Sequence, residues 1–172
     1  MARYQLQCHK APMSLQSLQH ALWPLLRPLL HLYRRLAHGT TTGVRAMVID
    51  GTGRIFLVKH SYVAGWHLPG GGVDKGESVT SAVARELFEE TNIKLAGEPK
   101  LQGVFFNNRE SRRDHVVLFI VRDFVQEKPP EPDYEIIEHG FFALDALPPD
   151  TSRATRARIA EVFEGVAVSE VW

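Results

Sequence analysis

The segment Leu68–Ile93, LPGGGVDKGESVTSAVARELFEETNI, constrains this chain more than any other stretch. It opens with a proline and three glycines and ends in a dense charged cluster. Ser78 to Thr91 holds neither Pro nor Gly, and its spacing predicts a helix. Ser78 or Thr80 suits the N-cap, and Glu77 suits the positive end of the helix dipole. Val79, Val83, Leu87 and Phe88, with Ala84, fall on one side at helical spacing. Glu86, Glu89 and Glu90 share a second face. Like charges so close cost stability, so something positive is expected to compensate. A hard divalent cation such as Mg²⁺ takes oxygen ligands and would do so. Such an ion also bridges phosphate oxygens and activates water. The plainer alternative is a solvated acidic face, locally offset by Arg85. The glycines weigh against it. Gly70, Gly71 and Gly72 let backbone approach a ligand closely, and a carbonyl there is a further oxygen ligand.

The same residues resemble the signature of the Nudix hydrolases, G-x5-E-x7-R-E-U-x-E-E-x-G-U, where U is a bulky aliphatic. Gly71 is the first glycine, Glu77 the first acid, and Arg85-Glu86-Leu87 follow at the right spacing. Glu89-Glu90 are the acidic pair and Ile93 the last aliphatic, while Asn92 stands where the family usually has Gly. Asn tolerates a left-handed conformation next best after Gly, so the helix is still expected to end there. Trp66-His67-Leu68-Pro69 upstream also resembles the family's approach to this loop.

At 172 residues the length fits one domain with a proper core. Lys+Arg and Asp+Glu are equal at 20 each, which argues against bulk nucleic acid as a partner. The single Cys8 forms no internal disulfide, and a cytoplasmic setting is expected. Residues 1–40 read as an amphipathic helical extension. Within residues 14–37, Pro24, Arg27 and Pro28 interrupt the apolar run, against both a signal peptide and a membrane span. A helix packed on the domain or across a homodimer is preferred to a basic helix lying peripherally on a membrane.

Residues 41–172 form the second unit. Thr41 to Ile49 reads as a strand, Asp50-Gly51-Thr52-Gly53 as a hairpin turn, and Arg54 to Lys59 as the partner strand. Leu101 to Asn107 and His115 to Val121 read as a second hairpin around an arginine-rich loop. Arg109, Arg112 and Arg113 could reach a phosphate there. At least two of the three are read as solvated, and Arg109 is carried forward. Ser152 to Glu164 reads as an amphipathic helix, and the tail as an edge strand or a frayed end. The order fits the α/β/α sandwich of Nudix proteins, with a mixed sheet between helices.

The resemblance implies a metal-dependent pyrophosphohydrolase cleaving a nucleoside diphosphate linked to another moiety. It implies Mg²⁺, with Mn²⁺ able to substitute, held by Glu86, Glu89, Glu90 and a carbonyl near Gly70. Glu86 and Glu135 are the candidate bases, with Glu138 second to Glu135 in its loop. Arg85 would orient carboxylates, Glu77 would assist a metal through water or fix the loop, Gly71 opens the motif, and Trp66 with Arg109 are the candidates to touch a small nucleotide substrate. The competing reading is a catalytically weak Nudix-fold module that binds a nucleotide, or docks on a membrane or partner.

Overall fold

Alternation along three strands builds the core. In β1 (Thr41–Val48), β2 (Ile55–His60) and β6 (Asp114–Val121) successive side chains point to opposite faces. Val44, Ala46, Phe56, Val58, Val117 and Phe119 enter one apolar cluster, while Met47, Ile55, Leu57, Leu118 and Ile120 enter another. Helix α1 (Val79–Thr91) closes the first cluster with Ala82, Val83 and Leu87. Helix α2 (Arg153–Phe163) closes the second with Ile159. Both faces are therefore covered, which is why β6 reads as a nearly unbroken apolar run. The α/β/α sandwich expected from the sequence is present. The computed structural model describes residues 41–132 and 134–172. The N-terminal extension, with its dimer and membrane readings, lies outside the described residues. No described helix is long and apolar enough to cross a membrane.

The strands sort into sheets. In the mixed sheet β6 lies between β1, which runs parallel to it, and β5 (Lys100–Phe106), which runs antiparallel. In the second, antiparallel sheet, β2 lies between β3 (Trp66–His67) and β8 (Ile136–Phe142). The short strands β4 (Lys94–Leu95) and β7 (Phe124–Val125) pair with each other. The β5–β6 hairpin is as expected. The β1–β2 pair is not a hairpin ladder: the two strands meet only at the Ile49–Ile55 bridge and then part into different sheets. The reason is that both edges of each strand are already taken. β1 has β6 on one side and the glycine loop on the other, and β2 has β3 and β8.

Asp50 holds the turn where they part. Its carboxylate accepts from Thr52 N–H and Arg54 N–H, both at 2.9 Å, from the Thr52 hydroxyl at 2.8 Å and from Arg54 Nε at 2.8 Å. Desolvation pushes the carboxyl up, but these donors outweigh it and hold it at about 2. The stability this gives is present above the ordinary carboxyl pKa and is lost as pH falls through about 2. Asp50→Ala is expected to cost about 1 kcal/mol in urea unfolding at pH 7. The difference from wild type should shrink in acid. A difference unchanged at pH 2 would remove the carboxylate's role.

Helix α1 starts and stops as its sequence predicts. Ser78 Oγ caps Ser81 N–H at 3.1 Å, and Asn92 ends the helix with φ 55°. Its apolar face is rotated from the expected one. Ala82 is buried, whereas Phe88 is 47% exposed with Lys94 Nζ over its ring. The C-terminal tail is tied down, because Phe106 N–H donates to Glu170 O and Trp172 N–H donates to Phe106 O. Trp172 packs edge-on against buried Phe105, beside the buried Arg158.

Candidate active site

The glycine loop docks along the free edge of β1. Val44 N–H donates to Gly71 O at 2.8 Å, Ala46 N–H to Pro69 O at 2.9 Å, and Val73 N–H to Thr42 O at 2.9 Å. Gly70 takes φ 135°, where a Cβ would run into the Val44 carbonyl. Only glycine fits so close to β1. The docking leaves Gly70 N–H free to donate to Glu90 Oε2 at 2.8 Å, and it packs Gly71 against the Glu86 carboxylate. The loop and α1 are thus joined through two of the signature carboxylates.

Burial sets their charge. Glu90 is only 8% exposed. Burial pushes its carboxyl up to about 8, although the Arg45 charge and the Gly70 N–H pull the other way. The charges of Glu86 and Glu135 reinforce the upward shift, which places all three carboxylates within electrostatic reach. Burial also raises Glu86, against its contact with Arg85. Glu89 is exposed and turned to Arg85 at 3.2 Å. Among the described residues no three His, Cys, Asp or Glu side chains converge as a ready metal cluster. The oxygen donors brought to the loop are Glu86, Glu90 and the Gly70 carbonyl, which also accepts from Arg45 Nη1. A carbonyl has a second lone pair. This is a hard-oxygen set whose negative charge is disfavoured by burial, and it suits a hard divalent cation.

Arg85 organises the rest. Its Nε and Nη2 grip Glu77 at 3.0 and 2.9 Å, its Nη1 reaches Glu86 at 2.8 Å, and its Nη2 also donates to Gly72 O at 3.0 Å. The contact with Arg85 holds the Glu77 carboxyl below its usual range. One guanidinium so ties the loop, Glu77 and α1 together. Lysine has no fork for this geometry. Arg85→Lys is expected to lower turnover about 10- to 100-fold, the usual effect of losing a residue that orients ligands. Its circular dichroism should match wild type, and an unaltered kcat would contradict the orienting role.

Other expected site residues separate. A register shift between Lys59 and His60 skips Ile137, so β2 pairs with Glu138 and then with Ile136. Such bulges re-aim side chains. Just beyond it, Glu135 accepts from Tyr62 Oη at 3.1 Å and stands in the field of Glu90. Glu138 instead pairs with Lys59 at 2.9 Å on an exposed surface. Trp66, expected to touch the substrate, is 7% exposed and packs edge-on against Phe142 in the core. Arg109 lines a cavity with Arg45 and the start of α2, whereas Arg112 and Arg113 do not line it.

Residues that the sequence did not single out stand close by. Arg45 donates to Leu68 O at 3.0 Å as well as to Gly70 O. Its signal was a lone arginine between Val44 and Ala46 in an apolar strand. His60 is 5% exposed, with Nε2 3.9 Å from Glu90 Oε1. Tyr62 lies against Glu135, and although the residue is 47% exposed, desolvation of its phenol, ahead of the Glu135 charge, pushes it up.

Comparison with known proteins agrees with this architecture. The NUDIX domain family model matches residues 39–163. A Bacillus subtilis protein provisionally assigned as an 8-oxo-dGTP diphosphatase is 38% identical over 76 residues, 44% of this chain and 50% of that one. An RNA pyrophosphohydrolase of Roseobacter denitrificans is 41% identical over 61 residues, 34% of this chain and 37% of that one. The chain thus spans half or less of the length of these curated relatives. The crystal structure of a MutT NUDIX hydrolase from Burkholderia pseudomallei superposes with a TM-score of 0.63 at 31% identity, covering 73% of this chain and 99% of that one. By its signature, its sandwich and these matches, the chain belongs to the NUDIX domain family.

Proposed function

We propose that the protein is a divalent-metal-dependent pyrophosphohydrolase that cleaves a nucleoside diphosphate linked to another moiety. The observation that carries this reading is the meeting of half-buried Glu86 and buried Glu90 at the glycine loop, both raised by desolvation. Family membership supports it, since Nudix enzymes generally use a divalent metal. The relatives named above act, by their descriptions, on a nucleoside triphosphate and on RNA. Their shared chemistry is a phosphoric anhydride.

Glu86, Glu90 and the Gly70 carbonyl would hold the ion, with Glu89 able to join by leaving Arg85. When bound, Mg²⁺ or Mn²⁺ supplies charge neutralisation for the diphosphate and lowers the pKa of the attacking water. The protein's residues do the rest. Arg85 fixes Glu77 and Glu86 in one orientation. Gly70 N–H holds one oxygen of Glu90 at 2.8 Å, and the other faces His60 Nε2 at 3.9 Å. Glu135, held by Tyr62, is the candidate to take the proton from water, and Glu86 is the other. Acceleration comes chiefly from position and preorganised charge.

The test is a hydrolysis screen with Mg²⁺ or Mn²⁺ over nucleoside triphosphates, ADP-ribose, sugar nucleotides, NADH and dinucleoside polyphosphates. Wild type is run beside Glu90→Gln. Cleavage of one class by wild type alone is the expected result. Silence across the panel from folded, metal-binding protein would shift the reading to a nucleotide-binding module.

A further inference from the structure

Arg45, the start of α2 and the arginine-rich β5–β6 loop enclose a cavity of about 220 Å³. Its wall includes Arg45, Arg109, Arg153, Ser152 and Trp172, and among the described residues no acidic side chain lines it. Guanidinium groups stay charged at any working pH. Arg109 and Arg153 are exposed, and neither makes an ion pair or side-chain hydrogen bond among the described residues. Arg45 is half-buried and held from one end, because among the described residues its hydrogen bonds all run from Nη1, to Leu68 O and Gly70 O. Its Nη2 and Nε make no hydrogen bond among the described residues.

Three guanidiniums around one small cavity repel each other unless an anion joins them. The planar fork of each matches phosphate oxygens in pairs. At α2, Ser152 caps Thr155 N–H, and the positive end of the helix adds to the field. The cavity also adjoins the carboxylates. Arg45 lines it, touches the Gly70 carbonyl, and acts electrostatically on both Glu86 and Glu90.

We propose that this cavity binds a phosphate group of the substrate other than those of the cleaved anhydride. Preferred substrates then carry an additional phosphate, either a monoester on the sugar or the far end of a longer polyphosphate. The inference rests on the pyrophosphohydrolase reading for its substrate, but its test does not require turnover.

The test is calorimetric binding to the full chain in EDTA, with two matched pairs of probes. One pair is ADP-ribose against ADP-ribose 2′-phosphate, and the other is ADP against adenosine 5′-tetraphosphate. In at least one pair the more phosphorylated probe should bind about tenfold more tightly, the effect of one net charge-assisted hydrogen bond. The pair that shows it names the source of the phosphate. That preference should vanish in the double variant Arg109→Gln/Arg153→Gln and shrink with added salt. Both substitutions are on exposed side chains, so the variant should fold. Equal binding within both pairs, or a preference that survives the double variant, would overturn the proposal. Selective binding without hydrolysis of any probe in Mg²⁺ would keep the cavity assignment and count against the enzymatic reading. Hydrolysis without selectivity would do the reverse.

Discussion

Glu90→Gln is expected to lower kcat about 10²- to 10³-fold, the usual effect of removing one preorganised electrostatic group from a reacting site. The same substitution should stabilise the metal-free protein at alkaline pH. Burial raises the folded-state carboxyl to about 8, while in the unfolded chain it titrates at about 4.3. The folded state therefore binds the extra proton, and its contribution to stability is full below about 4.3 and declines as pH rises through about 8. Metal-free wild type should lose stability between pH 5 and 8, and the variant should lose less. Gln keeps an acceptor for Gly70 N–H but brings no buried charge. At pH 8 in EDTA the variant should melt higher, by about 1–2 kcal/mol or several degrees. Mg²⁺ or Mn²⁺ should then raise the Tm of wild type and leave the variant nearly unmoved, since only binding to the native state stabilises it. A variant less stable than wild type in EDTA, or equally stabilised by metal, would contradict the assignment of Glu90 as a buried ligand.

Much of this site is legible in the sequence because its spacing is helical. Glu86, Glu89 and Glu90 share a face by period alone, and Asn92 marks the helix end by its tolerance of positive φ. The order of helices and strands is legible for a related reason, their two periodicities, and the sandwich they build is what the resemblance to Nudix proteins implies. Period does not say which strand lies beside which. β1 and β2 look like a hairpin because Asp50-Gly51-Thr52-Gly53 turns the chain, yet their ladders form with distant strands. Arg45 was invisible for the same reason. A single arginine in a strand becomes part of a site only once the glycine loop is known to dock on that strand. Trp66 illustrates the converse, since its place beside the signature suggested a ligand contact and its size sent it into the core. Phe88 is where helical period was too coarse, because it falls at the margin of the apolar face and the cluster closes on Ala82 instead.

The neighbouring glycines of the loop should separate folding from chemistry. Gly70→Ala places a methyl against the Val44 carbonyl and 3.0 Å from Arg45 Cα, at φ 135°. Both obstacles are backbone of β1 itself, so the loop must leave β1. That would break the Val44–Gly71 and Ala46–Pro69 hydrogen bonds and withdraw Gly70 N–H from Glu90. The expected cost is about 3 kcal/mol or more, from left-handed strain together with buried donors left unpaired. Gly71→Ala meets a different neighbour. Its methyl would lie 2.5–2.6 Å from the Glu86 carboxylate, the far end of a flexible side chain. That carboxylate can move, but only by giving up its contact with Arg85 at 2.8 Å and its place at the loop. Gly71→Ala should therefore cost about 1 kcal/mol in urea unfolding, within the range of ordinary substitutions. Its kcat should fall about 10- to 100-fold, as when a ligand is held in the wrong orientation. If Gly71→Ala unfolds the protein as Gly70→Ala does, Glu86 is fixed too rigidly to yield and the loop is a structural unit. If Gly71→Ala keeps both stability and turnover, Glu86 is not positioned by the loop, and the carboxylate pair centred on Glu90 loses its second member.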